Sequence, residues 1–169
     1  LTIAYHGGGF RGLAPNHGVR TVVGELAATL RPYLGYEPEI VMSGRTDAGV
    51  HAWGQVLSLD VPVGKADPER ISRIINVGLQ PEVVCRAARV VDADFSARHS
   101  ATARRYRYHV LNTPTPSPFL AETTWWVAEP LQMASMRLAC DPILGEHDFS
   151  SFCRRPAAAR CRPSSTWCA

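Results

Sequence analysis

The sequence predicts an α+β fold: a β-α-β-β-α-β unit with an antiparallel sheet, followed by the start of a second α+β unit. Three observations carry this reading. Apolar residues recur at helical spacing over 21–34, where Val22, Leu26, Leu30 and Tyr33 share one face. They alternate with period two over 55–61, where Ser58 and Asp60 separate Leu57, Leu59 and Val61. Asp67-Pro68-Glu69 marks a second helix start, with a capping carboxylate, a proline in the first turn and an acid near the positive helix end.

Taken in order, 2–5 reads as a strand and 7–19 as a glycine-rich loop. The first helix spans 21–34. Strands follow at 38–43 and 55–61, then a helix from Asp67 to about Val77, then a strand over 82–91. This is the ferredoxin-like split βαβ order. It closes at residue 92, which gives a first domain over 1–92 and a second over 93–169. In the second, Tyr106, Tyr108 and Val110 alternate with Arg105, Arg107 and His109, the pattern of a half-buried strand over 104–112. The prolines Pro114, Pro116 and Pro118 make a loop. A strand over 123–127 follows, then a helix over 130–144 that Pro142 should kink or end early. After Phe152 the periodicity disappears, so the second domain reads as truncated.

Hydrophobic residues make up 46% of the 169 residues and charged residues 20%, a globular composition. No apolar run reaches the length of a membrane span, and no leader pattern opens the chain. A cytoplasmic protein without a membrane partner is therefore expected. The chain also lacks an initiator Met and reads as trimmed. The net charge is only +3, so its distribution says more than its size. Arg98, Arg104, Arg105 and Arg107 cluster around Tyr106 and Tyr108, and Arg154, Arg155, Arg160 and Arg162 form a second basic group. A charge run is usually a solvated face, but guanidinium groups bind phosphate and aromatics stack on bases, so the interleaving with tyrosines raises the case for nucleic-acid contact.

Two patterns point away from cofactors. Gly7-Gly8-Gly9-Phe10-Arg11-Gly12 follows a strand and matches G-x-G-x-x-G. A dinucleotide site needs a helix to begin inside the motif. Here Pro15, Asn16 and Gly18 intervene, and the helix begins only near Thr21, so the segment reads as a loop whose backbone can approach a phosphate. The five cysteines are irregularly spaced, which argues against a disulfide framework. His147 with Cys153, Cys161 and Cys168 lacks any C-x-x-C pair, so no metal is expected.

The most informative stretch is 43–52, where Gly44 and Gly49 bracket Arg45 and Asp47 between two strands. A lone aspartate in a tight loop on a rigid scaffold is a usual place for chemistry. The same residues also fit a plain Asx-turn, with Gly49 supplying positive φ.

Gly44-Arg45-Thr46-Asp47-Ala48-Gly49-Val50-His51-Ala52 resembles the TruA-type tRNA pseudouridine synthases. Four further segments agree in order: Tyr5-His6-Gly7 with Phe10 and Gly12, then 21–26, 95–108 and 144–152. The resemblance covers residues 1 to about 153. One departure stands at Gly12-Leu13-Ala14, where the family usually carries Gly-Trp-Gln.

The resemblance implies a pseudouridine synthase fold and the isomerisation of uridine in the tRNA anticodon stem-loop, positions 38 to 40, without a cofactor. It implies that Asp47 is the catalytic aspartate and that Tyr106 stacks on the target base. Arg45 would hold the flipped nucleotide, and Arg98, Arg105 and Arg107 would contact RNA. It further implies a homodimer whose cleft holds tRNA, with no DNA partner. The family's C-terminal half supplies a basic residue that pairs with the aspartate and the apolar residues lining the uracil pocket. The alternative is therefore an RNA-binding chain that does not isomerise. The chemistry suits the residues. A carboxylate can act as nucleophile or base, an ionised aspartate calls for a nearby cation, and an aromatic platform offsets part of the cost of unstacking a base.

Overall fold

The computed structural model describes residues 1–149 and 166–167. Cys153, Cys161, Cys168 and the arginines at 154, 155, 160 and 162 lie outside the described residues. The chain divides into two compact units, Leu1–Tyr108 and His109–Ala169.

The first unit runs β1 (Thr2–Tyr5), a 3-10 turn (Gly7–Gly9), α1 (Val22–Leu34), β2 (Ile40–Met42), β3 (Ala52–Leu59), a second 3-10 turn (Val63–Lys65), α2 (Pro68–Leu79) and β4 (Val83–Ala87). The sheet order is β2-β3-β1-β4, and every neighbouring pair is antiparallel. This is the β-α-β-β-α-β unit and the antiparallel sheet that the sequence predicts. Central β1 places Ile3 opposite Gln55 on one side and Cys85 on the other.

Local chemistry sets the helix ends. The Thr21 hydroxyl accepts the Gly24 N–H at 3.2 Å at the start of α1, and Gly35 closes the helix at φ 84°. Asp67 caps α2 through the Arg70 N–H at 3.0 Å, with Pro68 in the first turn. Strand residues two apart face the same way, so Ile3 and Tyr5, and Val83 and Cys85, turn one sheet face inward. Val22, Leu26 and Leu30 of α1 and Ile71 and Ile75 of α2 cover that face, and all of them are buried.

Segment 93–108 differs from the sequence expectation. It belongs to the first unit, where the Ala97 N–H donates to the Ser58 hydroxyl on β3 at 3.0 Å and Ala97 is buried. Nor do residues 104–109 form a strand. The strand covers only Val110–Asn112 (β5), which pairs in parallel with β6 (Trp125–Val127). Tyr106 and Tyr108 are 56% and 87% exposed, so neither is a core residue. Alternation specifies which residues share a side; a strand also needs a ladder partner, and none of the described residues pairs with 101–108.

In the second unit the Asn112 side chain donates to the carbonyls of Val127 and Glu129 and accepts the Leu131 N–H. α3 (Met133–Cys140) gives way to a 3-10 turn (Asp141–Ile143) containing Pro142, which ends the helix early as its missing N–H requires. β7 (Gly145–Glu146) pairs with β8 (Thr166–Trp167). No described helix is long and apolar enough to cross a membrane.

Candidate functional site

Loop 43–51 connects β2 to β3 and is laced to its surroundings mostly through backbone groups. The Ser43 N–H donates to the Val56 carbonyl at 3.0 Å, and the Gln55 side-chain amide donates to the Gly44 carbonyl at 2.6 Å. The glycine-rich opening loop holds the other side. The Leu13 N–H donates to the Thr46 carbonyl at 3.1 Å, the Phe10 carbonyl accepts from Gly49 N–H at 3.4 Å, and the Gly7 N–H donates to His51 Nδ1 at 3.1 Å. The His51 ring also lies against His6, with centroids 4.3 Å apart.

Gly7 is there for space. A Cβ on it would stand 2.0 Å from the Val50 carbonyl oxygen. The opening glycines therefore serve a close approach between two loops of the chain, and α1 begins only at Val22, so the dinucleotide-like spacing opens a single 3-10 turn and no α-helix. Leu13, at the departure from Gly-Trp-Gln, is fully buried, which explains why an apolar residue suits that position.

Within the loop, the Val50 N–H donates to the Asp47 carbonyl at 3.2 Å, and Gly49 takes φ 80°. The turn is closed by the main chain. Among the described residues the Asp47 carboxylate accepts no hydrogen bond and forms no ion pair, so the side chain does not serve an Asx-turn; it is exposed. Next to it, Thr46 is fixed from the core, because its hydroxyl lies 2.7 Å from the hydroxyl of Tyr5 on β1. Burial raises the Tyr5 phenol above the ordinary tyrosine value; the Thr46 bond opposes this, and neighbouring Tyr106 adds to it.

Tyr106 reaches the same loop. Its hydroxyl lies 3.9 Å from the point a Cβ on Gly44 would occupy. Arg104, two residues earlier, donates to the Ser43 carbonyl from Nε at 2.9 Å and from Nη2 at 2.5 Å. The sequence reading places Arg104 in the basic cluster and gives it no site of its own. The contact spans 61 positions along the chain, and no periodicity signals it. Arg45, Arg98, Arg105 and Arg107 are all exposed, and none makes a hydrogen bond or ion pair to a described residue. The structure thus brings Tyr106 to the Asp47 loop and leaves these four guanidinium groups open to solvent. No group of three or more His, Cys, Asp or Glu among the described residues is placed to hold a metal. An exposed carboxylate on an anchored loop, with a phenol ring beside the loop, can serve a nucleophilic or proton-transfer step on a planar substrate.

Residues 7–100 match the profile of a family described as tRNA pseudouridine synthase. A tRNA pseudouridine synthase A of Geobacillus kaustophilus is 40% identical over 152 residues, covering 89% of this chain and 58% of that relative. The corresponding protein of Dechloromonas aromatica is 41% identical over 165 residues, covering 98% of this chain and 61% of the relative. That of Synechocystis is 34% identical over 161 residues, covering 95% and 58%. The chain thus spans about three fifths of the length of these curated relatives.

Proposed function

The chain belongs to the tRNA pseudouridine synthase family, and from that membership we propose that the protein isomerises uridine to pseudouridine at positions 38 to 40 of the tRNA anticodon stem-loop. The observation that carries the reading is the loop 43–51, anchored through its backbone on both sides yet presenting Asp47 to solvent with no internal partner among the described residues.

The reaction breaks the bond between N1 and C1′ and forms one between C5 and C1′. The C5 hydrogen leaves as a proton and N1 gains one. Substrate and product are isomers, so no electrons are exchanged and no redox cofactor is called for. Asp47 acts as nucleophile or base, at the sugar or at the uracil ring. Unstacking the target base costs a few kcal/mol, of which Tyr106 recovers a part by stacking. Arg45, on the same loop as Asp47, holds the flipped nucleotide and its phosphate. Arg98, Arg105 and Arg107 bind phosphates along the stem, as their exposure and lack of internal partners allow. Covering Asp47 with RNA strips it of water, so a cation must then face it; the family resemblance assigns that cation to the C-terminal half. The same resemblance supports a homodimer whose cleft holds the tRNA, and the sequence expectation of a cytoplasmic protein accords with that role.

The test is tritium release from tRNA labelled at uridine C5. Release by the wild-type protein that disappears in Asp47→Ala supports the reading. Release that persists in Asp47→Ala overturns the assignment of Asp47. tRNA binding without release assigns the chain to RNA binding alone.

A further inference from the structure

We propose that Arg104 is a positioning residue that sets Tyr106 against the Asp47 loop; the inference rests on the roles assigned above to Asp47 and Tyr106. Segment 101–108 has no ladder partner among the described residues. Its hydrogen-bonded link to loop 43–51, among the described residues, is the Arg104 side chain. Nε and Nη2 both donate to the Ser43 carbonyl, at 2.9 and 2.5 Å. Two donors on one acceptor fix the guanidinium more tightly than a single bond, and Arg supplies that fork where Lys offers a point charge.

Gly44 is the second, independent observation. A Cβ there would lie 3.1 Å from Arg104 Nε, 3.4 Å from Arg104 Cδ and 3.9 Å from the Tyr106 hydroxyl. Gly44 is not among the glycines with positive φ. Its value is therefore room for the Arg104 side chain to cross the loop. Arg104 and Tyr106 are two residues apart in the chain and both reach Gly44, so fixing the first limits where the second can stand. The loop, the missing Cβ and the guanidinium form one joint between the segment with the aromatic and the loop with the carboxylate. Arg104 is exposed like Arg105 and Arg107, but it alone of the three bonds to the protein backbone among the described residues.

The experiment compares wild-type, Arg104→Ala, Arg104→Lys, Gly44→Ala and the Gly44→Ala/Arg104→Ala double variant of the full-length protein, by tritium release from C5-labelled tRNA. A misplaced reacting group costs up to about a hundredfold, so kcat in Arg104→Ala should fall by roughly ten- to a hundredfold while KM stays within about twofold. Arg104→Lys, which keeps the charge and loses the fork, should stay low in kcat. Gly44→Ala should lower kcat likewise, and the double variant should be no worse than the poorer single one, because the added methyl no longer meets Arg104.

A rise in KM with kcat intact, full rescue by Arg104→Lys, or additive losses would each overturn the inference in favour of a phosphate contact or no role. Wild-type protein that releases no tritium fails the functional reading itself. The joint is then read by NMR: the Arg104 Nε–H should exchange slowly in the wild type and fast in Gly44→Ala. Equal exchange in both overturns the joint.

Discussion

The Tyr5 hydroxyl on the central strand lies 2.7 Å from the hydroxyl of Thr46, the residue that precedes Asp47. The most deeply held strand of the sheet is thus coupled through one hydrogen bond to the loop that carries the candidate nucleophile. Because Tyr5 is only 5% exposed, its hydroxyl has little access to water as an alternative partner. Tyr5→Phe keeps the ring and removes the bond. It should cost about 0.5–1.5 kcal/mol by urea unfolding, and tritium release should slow because Thr46 is freed on one side. Unchanged stability and unchanged release together would show that the bond does not hold the loop.

The same phenol makes a prediction at alkaline pH. Burial raises its pKa in the folded state above the value of 10.0 it has when unfolded, against the smaller opposing effect of the Thr46 bond. A folded state that holds the proton more tightly is favoured in full below the unfolded value, and that advantage is lost as pH rises through the folded one. Thermal unfolding followed from neutral pH to beyond 10 should therefore show a decline in Tm that is shallower in Tyr5→Phe. Parallel declines would show that Tyr5 ionises alike in both states.

Gly7→Ala tests the seam between the opening loop and the Asp47 loop. The new Cβ would stand 2.0 Å from the Val50 carbonyl oxygen and 2.6 Å from its carbon. Both atoms are backbone, so no rotamer change relieves the clash. Either the loop shifts or the Gly7–His51 bond breaks. Overpacking of this kind costs about 1–3 kcal/mol, visible as a lower urea midpoint. Tritium release should fall further than the loss of folded protein explains, since Asp47 lies three residues before Val50. A fully stable and fully active Gly7→Ala would mean that the two loops separate freely.

What the sequence made legible was what neighbouring residues decide. Thr21, Asp67 and Pro68 are local signals, and α1 and α2 begin where those signals stand. The alternation of Leu57 and Leu59 placed β3, and the glycines around Asp47 placed its loop. What failed depended on distant partners. The alternation over 104–112 suggested a strand but could not reveal that no described strand pairs with 104–108. Residues 93–108 joined the first unit because Ala97 meets Ser58 on β3, a contact 39 positions away that no periodicity reports. Gly7 and Gly44 were legible as glycines, but the reasons for them, Val50 and Arg104, lie far along the chain.

The arginines divide by what they already touch, and a salt titration should divide them in the same way. Arg98, Arg105 and Arg107 are exposed, with no hydrogen bond or ion pair among the described residues. Removing any one of them should leave stability within about 0.5 kcal/mol. Each phosphate contact releases counterions, so each Arg→Ala change should flatten the slope of log K against log salt for tRNA by roughly 0.7–0.9. The weakening should be similar for all tRNA sequences, because phosphate contacts carry no base readout. Arg20 is the control. It pairs with Glu82 through two hydrogen bonds at 2.9 and 2.8 Å and stacks over Phe10, so Arg20→Ala should lower stability and leave the salt slope unchanged. A slope unmoved by loss of Arg98, Arg105 or Arg107 would remove that residue from the RNA interface, and a flat wild-type titration would remove the anionic partner altogether.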